Sequence, residues 1–184
     1  MMKPRLPESE GFIRLPRPGL LALVAALLLT SLWIAQGQAS GEAAFPMPVD
    51  PRYRAECGSC HTSYAPGLLP ARSWDRMMTT LDRHFGEDAS LDEATRAALT
   101  RELIRLAADN PGANMLMRRI ASSFVRQEAP QRISDSPFFR HMHDEVPARI
   151  WRRAGVGSPA NCGACHSRAE EGRYFEREVR IPRE

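Results

Sequence analysis

Four cysteines stand in the chain, and all of them fall into two copies of one short pattern. The copies are Cys57-Gly58-Ser59-Cys60-His61 and Cys162-Gly163-Ala164-Cys165-His166. In each, two thiols sit three positions apart and the second is followed at once by histidine. Thiols so spaced on a tight turn reach the two vinyl groups along one edge of a porphyrin, and the adjacent imidazole swings beneath the ring to bind its iron. The pattern therefore points to two covalent haem c groups on Cys57, Cys60, Cys162 and Cys165, with His61 and His166 as proximal iron ligands. Covalent attachment also lets a small body use the macrocycle as core, in place of many apolar side chains.

Three other uses of these cysteines are weaker. A thioredoxin-like redox pair needs one C-x-x-C on a βαβ scaffold and no following histidine. A zinc site would have to unite pairs separated by 101 residues, far from the compact spacing of zinc ribbons. Two disulfides would suit an exported chain, but they would close strained three-residue loops and leave His61 and His166 unexplained.

Each iron needs a sixth ligand, ordinarily histidine or methionine. Three histidines remain: His84, His141 and His143. His84 closes a helical stretch, with Leu81 and Met77 on its side. His141 and His143 lie two apart and so face different ways. His143 shares its side with Phe139, Val146 and Ile150, whereas His141 sits with Asp144 and Glu145. His84 and His143 are therefore the candidate distal ligands. Met77, Met78 and Met142 read as gap-filling core, although His/Met ligation of one haem is the main rival and would raise its potential.

The elements that must position these residues are helical. Residues 40–49 read as a flexible, proline-containing lead-in, and Asp50-Pro51 opens a short helix into the first motif. Residues 62–70 form a loop broken by Pro66, Gly67 and Pro70. The apolar spacing of Trp74, Met78, Leu81 and Phe85 predicts a helix over 71–85, closed by Gly86. Ser90 and Glu93 form a capping box for the longest helix, to about Asp109. A further helix falls within 113–133. Ser136-Pro137 starts another, carrying Phe138, Phe139, Met142 and Val146 inward until Pro147 breaks it. Ser158-Pro159 caps a short helix bearing the second motif, and residues 172–184 form an extended tail. The expected fold is a mainly α, small multi-helix cytochrome c-type body wrapped around two haems. Beyond the motifs there is no internal repeat.

Residues 1–39 read as an export signal: Lys3, Arg5, Arg14 and Arg17, then an apolar run of 16 residues from Leu20 to Ala35, then small-x-small at Gly37-Gln38-Ala39. The run falls short of the ~20 residues that span a bilayer comfortably, so cleavage is expected, with a retained N-terminal anchor as the alternative. Both place residues 40–184, the dihaem domain, in the periplasm. That domain holds 21 arginines, no lysine and 20 acids. Ionised haem propionates would take its charge to about −1. The basic excess is spread along the chain, and nucleic acid is not an expected partner.

Beyond the motifs, the chain resembles the bacterial periplasmic dihaem cytochromes c with bis-histidine haems. The likeness lies in residues 53–61, in Gly67-Leu68-Leu69-Pro70-Ala71-Arg72-Ser73-Trp74, in the block 81–92 around His84, in Arg132-Ile133, in His143-Asp144-Glu145-Val146 and in 158–166. Residues 110–131 match least. The resemblance implies His61 and His166 as proximal ligands, His84 and His143 as distal, and both irons closed. It also implies electron exchange with an oxygen-binding monohaem cytochrome c or a membrane b-type cytochrome. Sequence order pairs His84 with the first haem and His143 with the second, with a crossed arrangement as the alternative. The expected function is thus a low-potential single-electron carrier and not an enzyme. The alternative is an open-haem enzyme or ligand sensor of the peroxidase kind.

Overall fold

Prolines and short polar caps decide where helices begin in the computed structural model of the chain, which describes residues 44–126 and 128–183. The expected export signal at 1–39 lies outside the described residues. Among the described residues no strand forms, and no helix is long and apolar enough to cross a membrane.

The lead-in is pinned, not flexible. Phe45 is buried in the main core, its N–H donates to the Gly172 carbonyl (2.8 Å), and its ring meets Tyr174 edge-on at 5.6 Å. A Cβ on Gly172 would come within 2.1 Å of the Phe45 carbonyl oxygen, so only glycine allows this approach. Asp50 accepts from the Arg52 N–H (3.0 Å), as a capping acid should, and the helix from Pro51 widens at once into a π turn over Tyr53–Cys57. The buried Tyr53 hydroxyl donates to the Tyr64 carbonyl and ties that turn to the loop beyond the motif.

Helix α1 (Ala71–Met78) is half as long as the apolar spacing predicts. Thr79 and Thr80 turn their hydroxyls onto the carbonyls of Asp75 and Arg76 at 2.9–3.0 Å, competing with the next helical bonds. A 3-10 turn (Leu81–Arg83) follows. The chain then reverses through Phe85 (φ 52°) and Gly86 (φ 105°), while His84 and Glu87 exchange two backbone hydrogen bonds (2.8 and 3.1 Å). Left-handed backbone costs a non-glycine residue roughly 1–2 kcal/mol, so this turn is held in place by its surroundings.

Helix α2 (Glu93–Arg105) is capped by Asp92, which accepts from the Thr95 N–H (3.0 Å); the expected cap, Ser90, instead donates its own N–H to Asp88. It stops short of Asp109 because Ala108 turns its N–H to the Leu69 carbonyl (2.9 Å), leaving the helical ladder for the motif-side loop. Helix α3 (Met115–Ser123) starts at Asn114, and α4 (Pro137–Met142) at Ser136. The run expected to last until Pro147 already ends at Met142, with His143 as its C-cap, and Pro147 instead opens α5 (Ala148–Trp151). Met142 is 57% exposed, against the inward packing expected of it, because α4 is under two turns long and its inner face is spent on Phe138 and Phe139. The second motif rides a 3-10 turn (Cys162–Ala164) and not a full helix. The tail is extended apart from a 3-10 turn (Glu176–Glu178).

Helices α1 and α2 pack on each other, and their buried faces join Tyr53, Leu69, Met117 and Ile120 in one core. Beyond residue 133 the buried apolar side chains, among the described residues, are Ile150, Val156, Ala169 and Phe175, and none of them belongs to that core. So few apolar side chains cannot hold some fifty residues in place, and that half of the body needs a core from elsewhere.

The caps give a direct test. Asn114→Ala and Ser136→Ala should each cost about 1 kcal/mol of unfolding free energy in a denaturant titration. Asp92→Ala should lower the melting midpoint while Ser90→Ala leaves it in place; the reverse order would restore the capping box.

Candidate functional site

Both cysteine motifs present their histidines on short turns, where a single backbone hydrogen bond decides how an imidazole points. His61 donates from Nδ1 to the Thr62 carbonyl (2.8 Å), and His143 from Nδ1 to the Phe139 carbonyl (2.9 Å). Carbonyls only accept, so the proton sits on Nδ1 in both, and Nε2 is left bare as a metal-binding nitrogen. Burial holds the imidazoles of His84 and His166 below the usual histidine range, helped by His61 and His143 respectively, so both rings are held neutral, as metal ligands must be.

The fold brings these four rings together in two pairs. The centre of His84 lies 6.2 Å from that of His61, and the centre of His143 lies 6.1 Å from that of His166. The arrangement is uncrossed. Metal–imidazole bonds run about 2 Å, and roughly 1 Å more separates each nitrogen from its ring centre, so an ion gripped from both sides parts the centres by about 6 Å. Both gaps fit a single iron. The ring planes differ between the pairs, at 29° in the first and 79° in the second. His84 reaches its place from the reverse turn after α1 and not from the helix face shared with Met77 and Leu81. His143 is the residue that caps α4. His141 is exposed and lies 3.8 Å from Asp144.

A cavity of about 620 Å³ opens beside the first pair. Cys57, Cys60, His61 and His84 line it together with Leu69, Trp74, Met77 and Leu103, a size and apolar wall suited to a large flat cofactor. Cys162 of the second motif and Phe139 also reach this wall. Burial pushes the thiols of Cys57 and Cys162 up to about 11. No disulfide joins any of the four cysteines, and the raised thiols of Cys57 and Cys162 are the opposite of the low-pKa thiolate that redox pairs depend on. Among the described residues no three histidines, cysteines or carboxylates converge as a metal-binding cluster, so the zinc reading lacks its ligands.

Apart from Phe139, which the spacing places on the side of His143, the rings that flank these histidines carry no sequence signal. Tyr64 stacks on His61 (4.7 Å, 22°) and donates its hydroxyl to the Ala160 carbonyl (2.7 Å). Phe139 stacks on His143 at 4.1 Å, and Trp151 flanks the same imidazole at 5.9 Å. Tyr174 leans on His166 at 5.3 Å. Of Tyr64, Trp151 and Tyr174, only Tyr64 stands within a few residues of a motif histidine. Behind His166, its backbone bridges to Val179, and Arg180 donates to the Cys165 carbonyl (2.9 Å).

The two motifs also abut. A Cβ on Gly163 would meet the Thr62 hydroxyl at 3.0 Å, and one on Gly58 would lie 2.4 Å from the Arg54 carbonyl oxygen. Gly163→Ala should therefore destabilise by about 1–3 kcal/mol through overpacking, and Thr62→Ala should recover most of that loss in the double variant. Additive losses would mean that the motifs do not touch. Gly58→Ala, facing backbone, should find no such rescue.

Comparison with known proteins bears on the same residues. The chain matches the family described as "Dihaem cytochrome c" over residues 53–174. Among solved structures it is similar to a diheme cytochrome c from Rhodobacter sphaeroides: 44% identity over 72% of this chain and 100% of that one, TM-score 0.62. It is similar also to a diheme cytochrome type c from Shewanella baltica OS155, at 36% identity over 74% of this chain and 96% of that one, TM-score 0.61. No curated protein matches.

Proposed function

The chain belongs to the dihaem cytochrome c family, and from that premise we propose that it is a periplasmic carrier moving single electrons at low potential between two redox partners. Membership brings two covalently bound haem c groups and electron transfer as the general activity. The finer reading rests on one observation, the two imidazole pairs set 6.2 and 6.1 Å apart.

Cys57 and Cys60 hold the first haem, between His61 as proximal and His84 as distal ligand. Cys162 and Cys165 hold the second, between His166 and His143. The bound iron supplies the chemistry by passing between its ferric and ferrous states. The protein's part is to keep both axial positions filled. Two imidazoles favour the ferric state more than a thioether would, and this keeps the potential low. Nδ1–H bonds to backbone carbonyls raise the basicity of His61 and His143 and push the same way. Because no ligand has to leave, little rearrangement accompanies each electron. Partners of the class the resemblance implies are an oxygen-binding monohaem cytochrome c or a membrane b-type cytochrome. An export leader, cleaved or kept as a tether, suits both.

Replacing a distal ligand tests the scheme. His84→Met and His143→Met should each raise the midpoint potential of one haem, a different one in each variant, with both haems still attached by mass; an unmoved titration removes that residue from the ligand set. Carbon monoxide should not bind the reduced wild-type protein rapidly, and fast binding would favour an open-haem enzyme or sensor. Low-temperature EPR of the oxidised protein should resolve two low-spin signals. The near-parallel rings of the first pair lift the degeneracy of the iron orbitals and give an ordinary rhombic spectrum, while the near-perpendicular rings of the second give a strongly anisotropic one. Two identical rhombic signals would contradict the ring angles.

A further inference from the structure

A haem carries two carboxylates, and a site that holds one in an apolar cavity has to meet that charge. The wall of the first cavity contains a single arginine, Arg132, alongside the carboxylates of Glu56, Glu87 and Asp88. Most arginines around it are engaged: Arg52 with Asp50, Arg72 with Asp109, Arg96 with Glu93, Arg168 with Glu171. Arg132 makes neither an ion pair nor a side-chain hydrogen bond among the described residues. Its guanidinium carbon lies instead over a ring, 4.3 Å from the centre of Phe85.

That platform is itself unusual. Phe85 directly follows His84, is 48% exposed, and sits in left-handed backbone at φ 52°. A large apolar side chain gains little from such a place by burial, and strain of this kind persists where a functional arrangement needs it. What Phe85 does is hold a cation by its π face at the cavity wall. The segment bearing Arg132 is fixed as well. Gln131 donates to the Thr80 hydroxyl (3.2 Å), and residues 131–134 line the cavity consecutively.

We infer that Arg132, braced on Phe85, is the binding partner of a propionate of the first haem. A guanidinium presents a planar fork that matches a carboxylate with two parallel hydrogen bonds, which an ammonium cannot reproduce. With its guanidinium carbon over Phe85 and no carboxylate paired with it among the described residues, Arg132 keeps its N–H groups for the cofactor. Arg132 is the cation of this wall that would meet a propionate, while the carboxylates of Glu87 and Asp88 on the same wall would repel one. The inference deepens the assignment of this cavity to the haem between His61 and His84, and rests on it.

The haem-loaded protein supplies the test, through spectra and potentials and not turnover. Arg132→Met keeps the length and the contact with Phe85 but removes the charge. It should move the propionate bending band in resonance Raman and lower one midpoint potential by about 59 mV, a tenfold change in the ferric-to-ferrous ratio. Arg132→Lys should keep most of the potential yet still move the band, since it restores charge without the fork. If Arg132→Met leaves bands and potentials as in the wild type, the inference is overturned, and likewise if Lys and Met shift the potential equally. The assignment of the cavity fails separately: His84→Met must raise the same midpoint that Arg132→Met lowers, and two different haems responding would overturn that assignment instead.

Discussion

Two imidazoles held about 6 Å apart, twice over, set the terms for everything else in this molecule. Flexible side chains do not keep such a gap unaided. Each ring is therefore tied to backbone or wedged by an aromatic neighbour: His61 by the Thr62 carbonyl and the face of Tyr64, His143 by the Phe139 carbonyl and ring. His84 and His166 are set differently, by isolated backbone bridges to Glu87 and Val179. In each pair, one histidine is oriented through its ring and the other through its main chain. The helices serve this end more than they serve themselves. α1 stops early so that the chain can reverse into His84, and α4 stops at Met142 so that His143 can turn inward as its cap.

The division of the core follows from the same requirement. Residues up to Phe124 build an aliphatic and aromatic cluster of their own, on which the first site leans. Past residue 133 there is no comparable cluster, and the side chains near His143 and His166 are mostly flat rings (Phe139, Trp151, Tyr174) that suit the face of a macrocycle better than one another. There the cofactor takes the place of the core.

Much of this could be read from residue types and spacing. The motifs, the helical class and the helix start at Ser136 all depend on local chemistry or short-range pattern. Failures came where a distant contact overrode local preference. The apolar spacing of Trp74, Met78, Leu81 and Phe85 suits a helix well, but Thr79 and Thr80 end it and Phe85 is taken up by Arg132. A lead-in containing two prolines looks loose until Gly172, more than a hundred residues later, receives Phe45. Nor could spacing along the chain choose between crossed and uncrossed pairing of the histidines. That is decided by the turn at Phe85 and Gly86, whose conformation no periodicity announces.

The tail beyond the second motif looks dispensable on paper, since both attachment sequences are complete by residue 166. Yet the carbonyl of Cys165 and the backbone of His166 find their partners in Arg180 and Val179, within a few residues of the C-terminus. Loss of Val179 and Arg180 would leave every ligand and every thioether in place, while removing the brace against which one axial ligand is aligned. Damage to this stretch would thus strike the second haem centre and spare the first.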